Sequence, residues 1–238
     1  MGMKSDEKLI VKGKRIDGRK PDEIREIEME VGIIPNANGS ARARFGNTIA
    51  IAGVYGPREL FPKHRQEAEK AIVQCRYNMA PFSVDERKRP GPSRRAIEIS
   101  KVTRLALEPV LFLEDYPEMV VDIYIEILQA DGSTRVTGIN AASLALADAG
   151  VPMKDLVVAL SGGKVDDTLV IDLCGKEDNY GKADIPIVFL PRKKEITLLQ
   201  MDGQLTTQEV KDIIKNVLKA GEQVYKKQKG ALMKKYGK

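Results

Sequence analysis

The sequence predicts an α+β fold in a single domain spanning residues 1–238, and three observations carry that reading. Strand patterns crowd the first third, where Ile27, Met29, Val31 and Ile33 alternate with polar residues and NTIAIAGVY follows shortly after. At the centre, Met119, Val121, Ile123, Ile125 and Ile127 recur at every second position, and after QADGSTRVTGIN the apolar spacing turns helical at Ile139, Ala142, Leu146 and Ala149. More strand patterns follow, and a long amphipathic helix closes the chain. No short-period repeat, low-complexity tract or interdomain linker interrupts this order.

Taken in order, residues 1 to about 22 are charged with few apolar positions, and are expected to form a mobile or partner-bound arm. The strand at Ile27–Ile33 leads through a turn at Asn36–Gly39 to small and basic alternation at Ser40–Phe45. A buried strand at Asn47–Tyr55 completes an antiparallel meander, which Gly56-Pro57 is expected to end. Arg58–Lys70 is a basic connection carrying the only histidine, His64. Ala71, Val73, Cys75, Tyr77 and Met79 then alternate as a further strand. PFSVDERKRPGP is too rich in charge and proline for a packed element. Ser93 can cap a helix whose apolar face is Ile99, Val102, Ala106, Val110 and Leu113, with Pro109 kinking its end.

Beyond the central strand and helix, Gly150 and Pro152 stop the helix. Leu156–Leu160 and Leu169–Leu173 read as a strand pair, with Gly162-Gly163-Lys164 in a turn between strands rather than in a phosphate loop. Cys174–Asp184 reads as an acidic loop, followed by strands at Ile185–Leu190 and Ile196–Gln200. Thr206 and Glu209 have capping-box spacing ahead of Val210, Ile213, Ile214, Val217 and Leu218 on one helix face.

Composition narrows the function. With 238 residues, 42% hydrophobic and 31% charged, the chain can bury a sizeable core. It has no run near the roughly 20 apolar residues a membrane span needs, and Met1–Lys20 has no apolar signal core, so a soluble, cytoplasmic protein is expected. Cys75 and Cys174 lie far apart without metal spacing and read as buried thiols in a reducing compartment. The net charge is +5 and unevenly spread. Between Arg58 and Arg95, ten Lys or Arg face five Asp or Glu, an excess equal to that of the whole chain. Such a patch suits a polyanion such as nucleic acid. A second basic run (Lys226, Lys227, Lys229, Lys234, Lys235, Lys238) reads either as more of that surface or as a solvated helix end.

The central join carries the chemistry. Asp131-Gly132 breaks the strand, and Ser133 or Thr134 is placed to cap the following helix, whose first-turn amides favour an anion. Arg135 in that turn opposes the helix dipole, as do Arg94 and Arg95 in the earlier helix. A negative ligand would offset them, and solvated arginines are the bland alternative. Asp178 and Asp184 lie six residues apart and suit Mg²⁺, which takes one or two protein carboxylates and fills its shell with water and phosphate oxygens. Solvated loop acids are the alternative there. One histidine and two scattered cysteines argue against zinc. No G-x-x-x-x-G-K-[ST], G-x-G-x-x-G or G-x-S-x-G segment is present. What remains is a kit for phosphoryl chemistry without a covalent nucleophile.

Three segments in order, PFSVDERKRPGPSRRAIEISKVTRLAL, EILQADGSTRVTGINAASLALADAGVPM and KEDNYGKADIPI, resemble the RNase PH family. Within it they resemble most the catalytic, RNase PH-like subunits of the archaeal exosome, over nearly the whole chain from about Arg15. The resemblance implies mixed β-sheets packed with helices, as in ribosomal protein S5 domain 2-like folds. It implies a 3′→5′ exoribonuclease in which inorganic phosphate attacks the last phosphodiester and nucleoside diphosphates leave, with RNA tailing as the reverse reaction. It assigns phosphate binding to Arg95, Gly132, Ser133, Thr134 and Arg135, and Mg²⁺ or Mn²⁺ to Asp178 and Asp184. Contact with single-stranded RNA falls to Lys63, His64, Arg65 and Arg94. The expected partners are a related non-catalytic subunit, in a hexameric ring of three heterodimers, and RNA-binding cap proteins. Ser133 stands where bacterial tRNA-trimming members carry a second glycine, and the N-terminal arm is longer than theirs. Both features favour the exosome branch over a homohexameric tRNA enzyme. Keeping both aspartates separates the chain from non-catalytic ring subunits.

Overall fold

The computed structural model describes residues 8–237, in which two five-stranded sheets enclose a buried helix. A short hairpin, β1 (Ile10–Val11) and β2 (Lys14–Arg15), opens the described chain. The first sheet follows from the alternating segments: β3 (Ile27–Val31), β4 (Gly39–Phe45), β5 (Thr48–Glu59) and β6 (Ile72–Met79), with α1 (Arg94–Leu107) and β7 (Met119–Gln129) after them. Its spatial order is β3-β4-β5-β7-β6, antiparallel except that β6 runs parallel to β7. That one parallel pair needs a crossover, and α1 supplies it while packing on β6.

The helix α2 (Thr134–Asp148) runs beneath this sheet. The helical spacing of Ile139, Ala142 and Leu146 is borne out, and all fifteen residues of the helix except Arg135 and Ala147 are buried. A second sheet covers its other side: β8 (Val158–Val165), β9 (Thr168–Ile171), β10 (Ala183–Leu190), β11 (Glu195–Leu199) and β12 (Asp202–Gly203), with α3 (Gly175–Tyr180) between β9 and β10. Small side chains let the sheets close in. A Cβ at Gly39 would lie 2.1 Å from the Ala149 amide nitrogen. The final helix α4 (Thr207–Tyr236) begins with the expected capping box: Thr206 accepts from the Glu209 amide, and Glu209 accepts from the Thr206 amide. Phe45, Ile123, Leu144, Phe189 and Val217, drawn from both sheets and both long helices, belong to one hydrophobic cluster. Truncating a leucine in such a place to alanine costs about 2–5 kcal/mol.

Residues 1–7 of the expected arm lie outside the described residues; most of residues 8–22 are exposed, while Leu9 and Arg15 are buried. Leu9 joins Val165, Val170 and Leu173 in a small cluster, and the fully buried Arg15 side chain forks onto Glu177. Gly56-Pro57 does not end its strand, which passes through a register shift between Tyr55 and Arg58 and continues to Glu59. Gly162, Gly163 and Lys164 lie inside β8 rather than in a turn; a Cβ at Gly162 would meet Ile213 of α4 at 2.5 Å. The expected acidic loop is the helix α3 followed by the start of β10. Both cysteines are free; burial pushes the Cys75 thiol to about 12 and the Cys174 thiol to about 11, so neither is a ready nucleophile. No helix among the described residues is long and apolar enough to cross a membrane.

Candidate active site

The loop from β7 into α2 is shaped by its backbone. Gly132 has φ +71°, and a Cβ there would lie 2.5 Å from the Cys174 carbonyl carbon. Ser133 follows at φ +53°, a left-handed conformation that costs a serine of order 1 kcal/mol. Its hydroxyl explains why it stays: Oγ donates to the Leu173 carbonyl (2.8 Å) and shares a hydrogen bond with Ser161 Oγ (2.7 Å). Ser133 therefore occupies the cap position without capping. The Thr134 hydroxyl is engaged as well, accepting from Tyr77 Oη at 3.0 Å. The first-turn amides of α2 are left without a side-chain cap, at the positive end of a fifteen-residue helix.

Arg135 projects from that turn. Nη1 donates to Gln200 Oε1, Nη2 lies 3.7 Å from Glu98 Oε1, and Gln200 Nε2 donates to the same Glu98 oxygen at 3.3 Å. Arg94 and Arg95 stand exposed in the first turn of α1, which Ser93 caps by accepting from the Ala96 amide at 3.1 Å. Three elements thus converge on one place, because Glu98 sits one turn along α1 from Arg95.

The two carboxylates complete it. Asp178 lies on α3, whose start is held by Glu177 accepting from the Cys174 amide (3.0 Å) while Arg15 grips the same carboxylate. Asp184 is the second residue of β10, between Gly163 of β8 and Asp202 of β12. Burial raises the Asp178 carboxyl above its ordinary value against the pull of Arg95, Arg135 and Arg25. Burial, and then the negative charge of Asp178, push Asp184 up to about 7 despite Arg135 and Arg95. The mutual influence of these four groups places them in a single site. Two half-buried carboxylates that repel one another suit a divalent cation, which would relieve both burial and repulsion. Among the described residues no group of three or more His, Cys, Asp or Glu is arranged to hold a metal by itself. A site of this kind suits Mg²⁺ with water and phosphate oxygens, and does not suit a structural zinc.

Arg95, Arg135, Asp178, Asp184 and the Gly132–Thr134 backbone are thus brought together. Lys63, His64 and Arg65 are not: they form an exposed turn between β5 and β6, where Lys63 pairs with Glu59 at 3.6 Å. Sequence reasoning missed Asp202, Glu98 and Gln200. Asp202 sits in a plain Asp-Gly dipeptide, and only its ladder position opposite Asp184 reveals it. Glu98 reads from sequence as one more exposed helix acid, and Gln200 as the end of a strand.

The arrangement suits an anion beside a divalent cation, and the chain matches the 3′ exoribonuclease family, its domain 1 over residues 23–152 and its domain 2 over residues 155–220. The chain belongs to this RNase PH family. Among its relatives, the exosome complex component Rrp41 of Thermococcus kodakarensis is 57% identical, over 99% of this chain and 95% of that protein. The Rrp41 of Methanopyrus kandleri is 53% identical over 97% of each. Of solved structures, rice Rrp46 superposes with a TM-score of 0.83 at 25% identity, covering 92% of this chain and all of that one. The Archaeoglobus fulgidus exosome with RNA bound to the active site gives 0.78 at 22% identity, covering 90% of this chain and 92% of that one, a likeness of fold.

Proposed function

We propose that this chain is the catalytic subunit of an exosome, a metal-dependent phosphorolytic 3′→5′ exoribonuclease that releases nucleoside diphosphates from RNA 3′ ends. The observation that carries the reading is the uncapped N-terminus of α2, with Arg95 and Arg135, facing the Asp178–Asp184 pair. Inorganic phosphate would sit on the amides of residues 132–135 between the two guanidinium groups. Held there, it has no need of a catalytic serine or histidine, because it is already an anionic nucleophile. One phosphate oxygen bonds to the terminal phosphodiester phosphorus, and the bond from that phosphorus to the 3′ oxygen breaks. The terminal nucleoside departs as its diphosphate, and the shortened RNA keeps a 3′ hydroxyl after taking up a proton. Asp178 and Asp184 would hold Mg²⁺ or Mn²⁺, which when bound supplies charge neutralisation at the reacting phosphoryl group. Arg95 and Arg135 stabilise the charge that accumulates when two anions approach, a contribution of several kcal/mol in sites of this type. One of the two aspartates would pass that proton to the leaving 3′ oxygen.

The identity with Rrp41 proteins supports placement in a ring of three heterodimers with a related non-catalytic subunit, and with RNA-binding cap proteins. Lys63, His64, Arg65 and Arg94, exposed and basic, are proposed to contact single-stranded RNA outside the reacting centre. The test is an oligoribonucleotide labelled at its internucleotide phosphates, incubated with the chain, alone and with a partner subunit, with and without phosphate, the released nucleotides being resolved by chromatography. Diphosphates that form only with phosphate are expected. Monophosphates released without phosphate would make the enzyme a hydrolase, and no product under any partner condition would make it a structural RNA-binding subunit.

A further inference from the structure

We propose that Thr48 and Arg25 are positioning residues that set the anion loop against the carboxylates, an inference that rests on the phosphorolytic reading above. Neither residue touches the proposed phosphate position. Both are buried, Thr48 completely and Arg25 to 7% exposure, and both hold the backbone of Asp131 and Gly132. Thr48 Oγ1 accepts from the Asp131 amide (3.0 Å) and donates to the Gly132 carbonyl (2.8 Å). Arg25 Nη1 donates to the Asp131 carbonyl at 2.7 Å. The backbone just ahead of Ser133, Thr134 and Arg135 is thus gripped at three polar atoms of two adjacent residues by side chains from elsewhere in the fold.

The other end of Arg25 reaches the carboxylate side. Nε and Nη2 fork onto Asp172 at 2.9 and 2.6 Å, and the Arg25 amide donates to the same carboxylate at 2.8 Å. Asp172 is fully buried at φ +56°, six residues before Asp178. Its strained backbone persists because the ion pair holds it. One guanidinium therefore ties the loop that presents Arg135 to the segment that leads into α3. A planar fork can satisfy Asp172 and the Asp131 carbonyl together; a lysine can meet the charge of Asp172 but cannot span both. A valine at 48 keeps the shape of threonine without the hydroxyl, and a serine keeps the hydroxyl.

The experiment uses the full chain, assembled with a partner subunit if the wild type needs one. Initial rates of diphosphate release are measured at varied phosphate and varied oligo(A), with inorganic phosphate binding followed by calorimetry. Thr48→Val and Arg25→Lys are expected to raise the KM for phosphate roughly 10- to 100-fold, the scale of a misplacement near 1 Å. The KM for RNA should stay within about twofold, and Thr48→Ser should restore the wild-type value. An unchanged phosphate KM, an equal rise for RNA, or a serine variant as impaired as the valine would overturn the proposal. Loss of fold in both the valine and lysine variants, read by circular dichroism, would assign the pair to stability and overturn it too. If the wild type makes no diphosphate, the phosphorolytic reading fails by itself; weaker calorimetric phosphate binding by the variants would still support the clamp.

Discussion

Asp184 keeps its proton up to about pH 7 because burial and the charge of Asp178 outweigh the attraction of Arg135 and Arg95. The sign of its effect on stability follows. Between the ordinary carboxyl value and about 7 the folded chain holds a proton that the unfolded chain has released, so the neutral carboxyl supports folding at low pH. That support is lost as pH rises through 7. Asp184→Asn removes the titration. In metal-free urea unfolding it is expected to match the wild type near pH 4 and to exceed it by roughly 2 kcal/mol at pH 8, less than the full shift implies because the carboxyl keeps some contact with water. An equal difference at both pH values would contradict this. The same variant should release no diphosphate while binding RNA normally. Arg135→Ala, removing the cation that Gln200 and Glu98 steady, is expected to weaken apparent phosphate affinity about tenfold or more with RNA affinity nearly unchanged. Equal losses in both, measured by steady-state kinetics and filter binding, would mean the loop is misassigned.

Helix ends were the most legible elements, because a cap is a local contract between neighbours in sequence. Thr206 with Glu209 and Ser93 with Ala96 are where the residue types put them. Since Ser93 fixes the turn that carries Arg94 and Arg95, Ser93→Ala is expected to cost about 1 kcal/mol in thermal or urea unfolding. It should also raise the KM for phosphate a few-fold, while a KM matching the wild type would separate that turn from the site. The start of α2 follows another logic. Ser133 stands at the cap position, but its hydroxyl is drawn to Ser161 and Leu173, residues brought close only by the second sheet. Local sequence shows that a cap residue is present, and long-range partners decide whether it caps. Likewise Asp178 and Asp184 look like loop acids until α3 and β10 form around them, since a six-residue helix leaves too short a pattern to read.

At the scale of the molecule, the charge excess between Arg58 and Arg95 is divided by the fold. Arg95 acts on the two aspartates, Arg94 stands exposed beside it in the first turn of α1, and Lys63, His64 and Arg65 go to a separate exposed turn. Replacing Lys63 and Arg65 together with alanine should weaken RNA binding and flatten the logarithmic salt dependence by about 1–2 in slope, with phosphate KM unaffected. An unchanged slope would remove the turn from the RNA path. The first residues of the described chain show how charge can mislead. A stretch with so few apolar residues reads as solvated, yet Arg15 is fully buried because Glu177 and the carbonyls of Ile171 and Asp172 meet its guanidinium. A buried charge is tolerated only with such partners.

By itself the sequence determined the mixed α+β class, most strands and helices, and the caps of α1 and α4, because periodicity and capping act between near neighbours; Arg95, Arg135, Asp178 and Asp184 were singled out by the family resemblance of the segments that carry them. The tertiary structure alone decided that α2 is enclosed on all sides, that Asp202 faces Asp184, that Leu9 and Arg15 are buried, and that Thr48 and Arg25 grip the anion loop. Those outcomes depend on contacts between segments far apart in the chain, and no local pattern of residues encodes the distance between them.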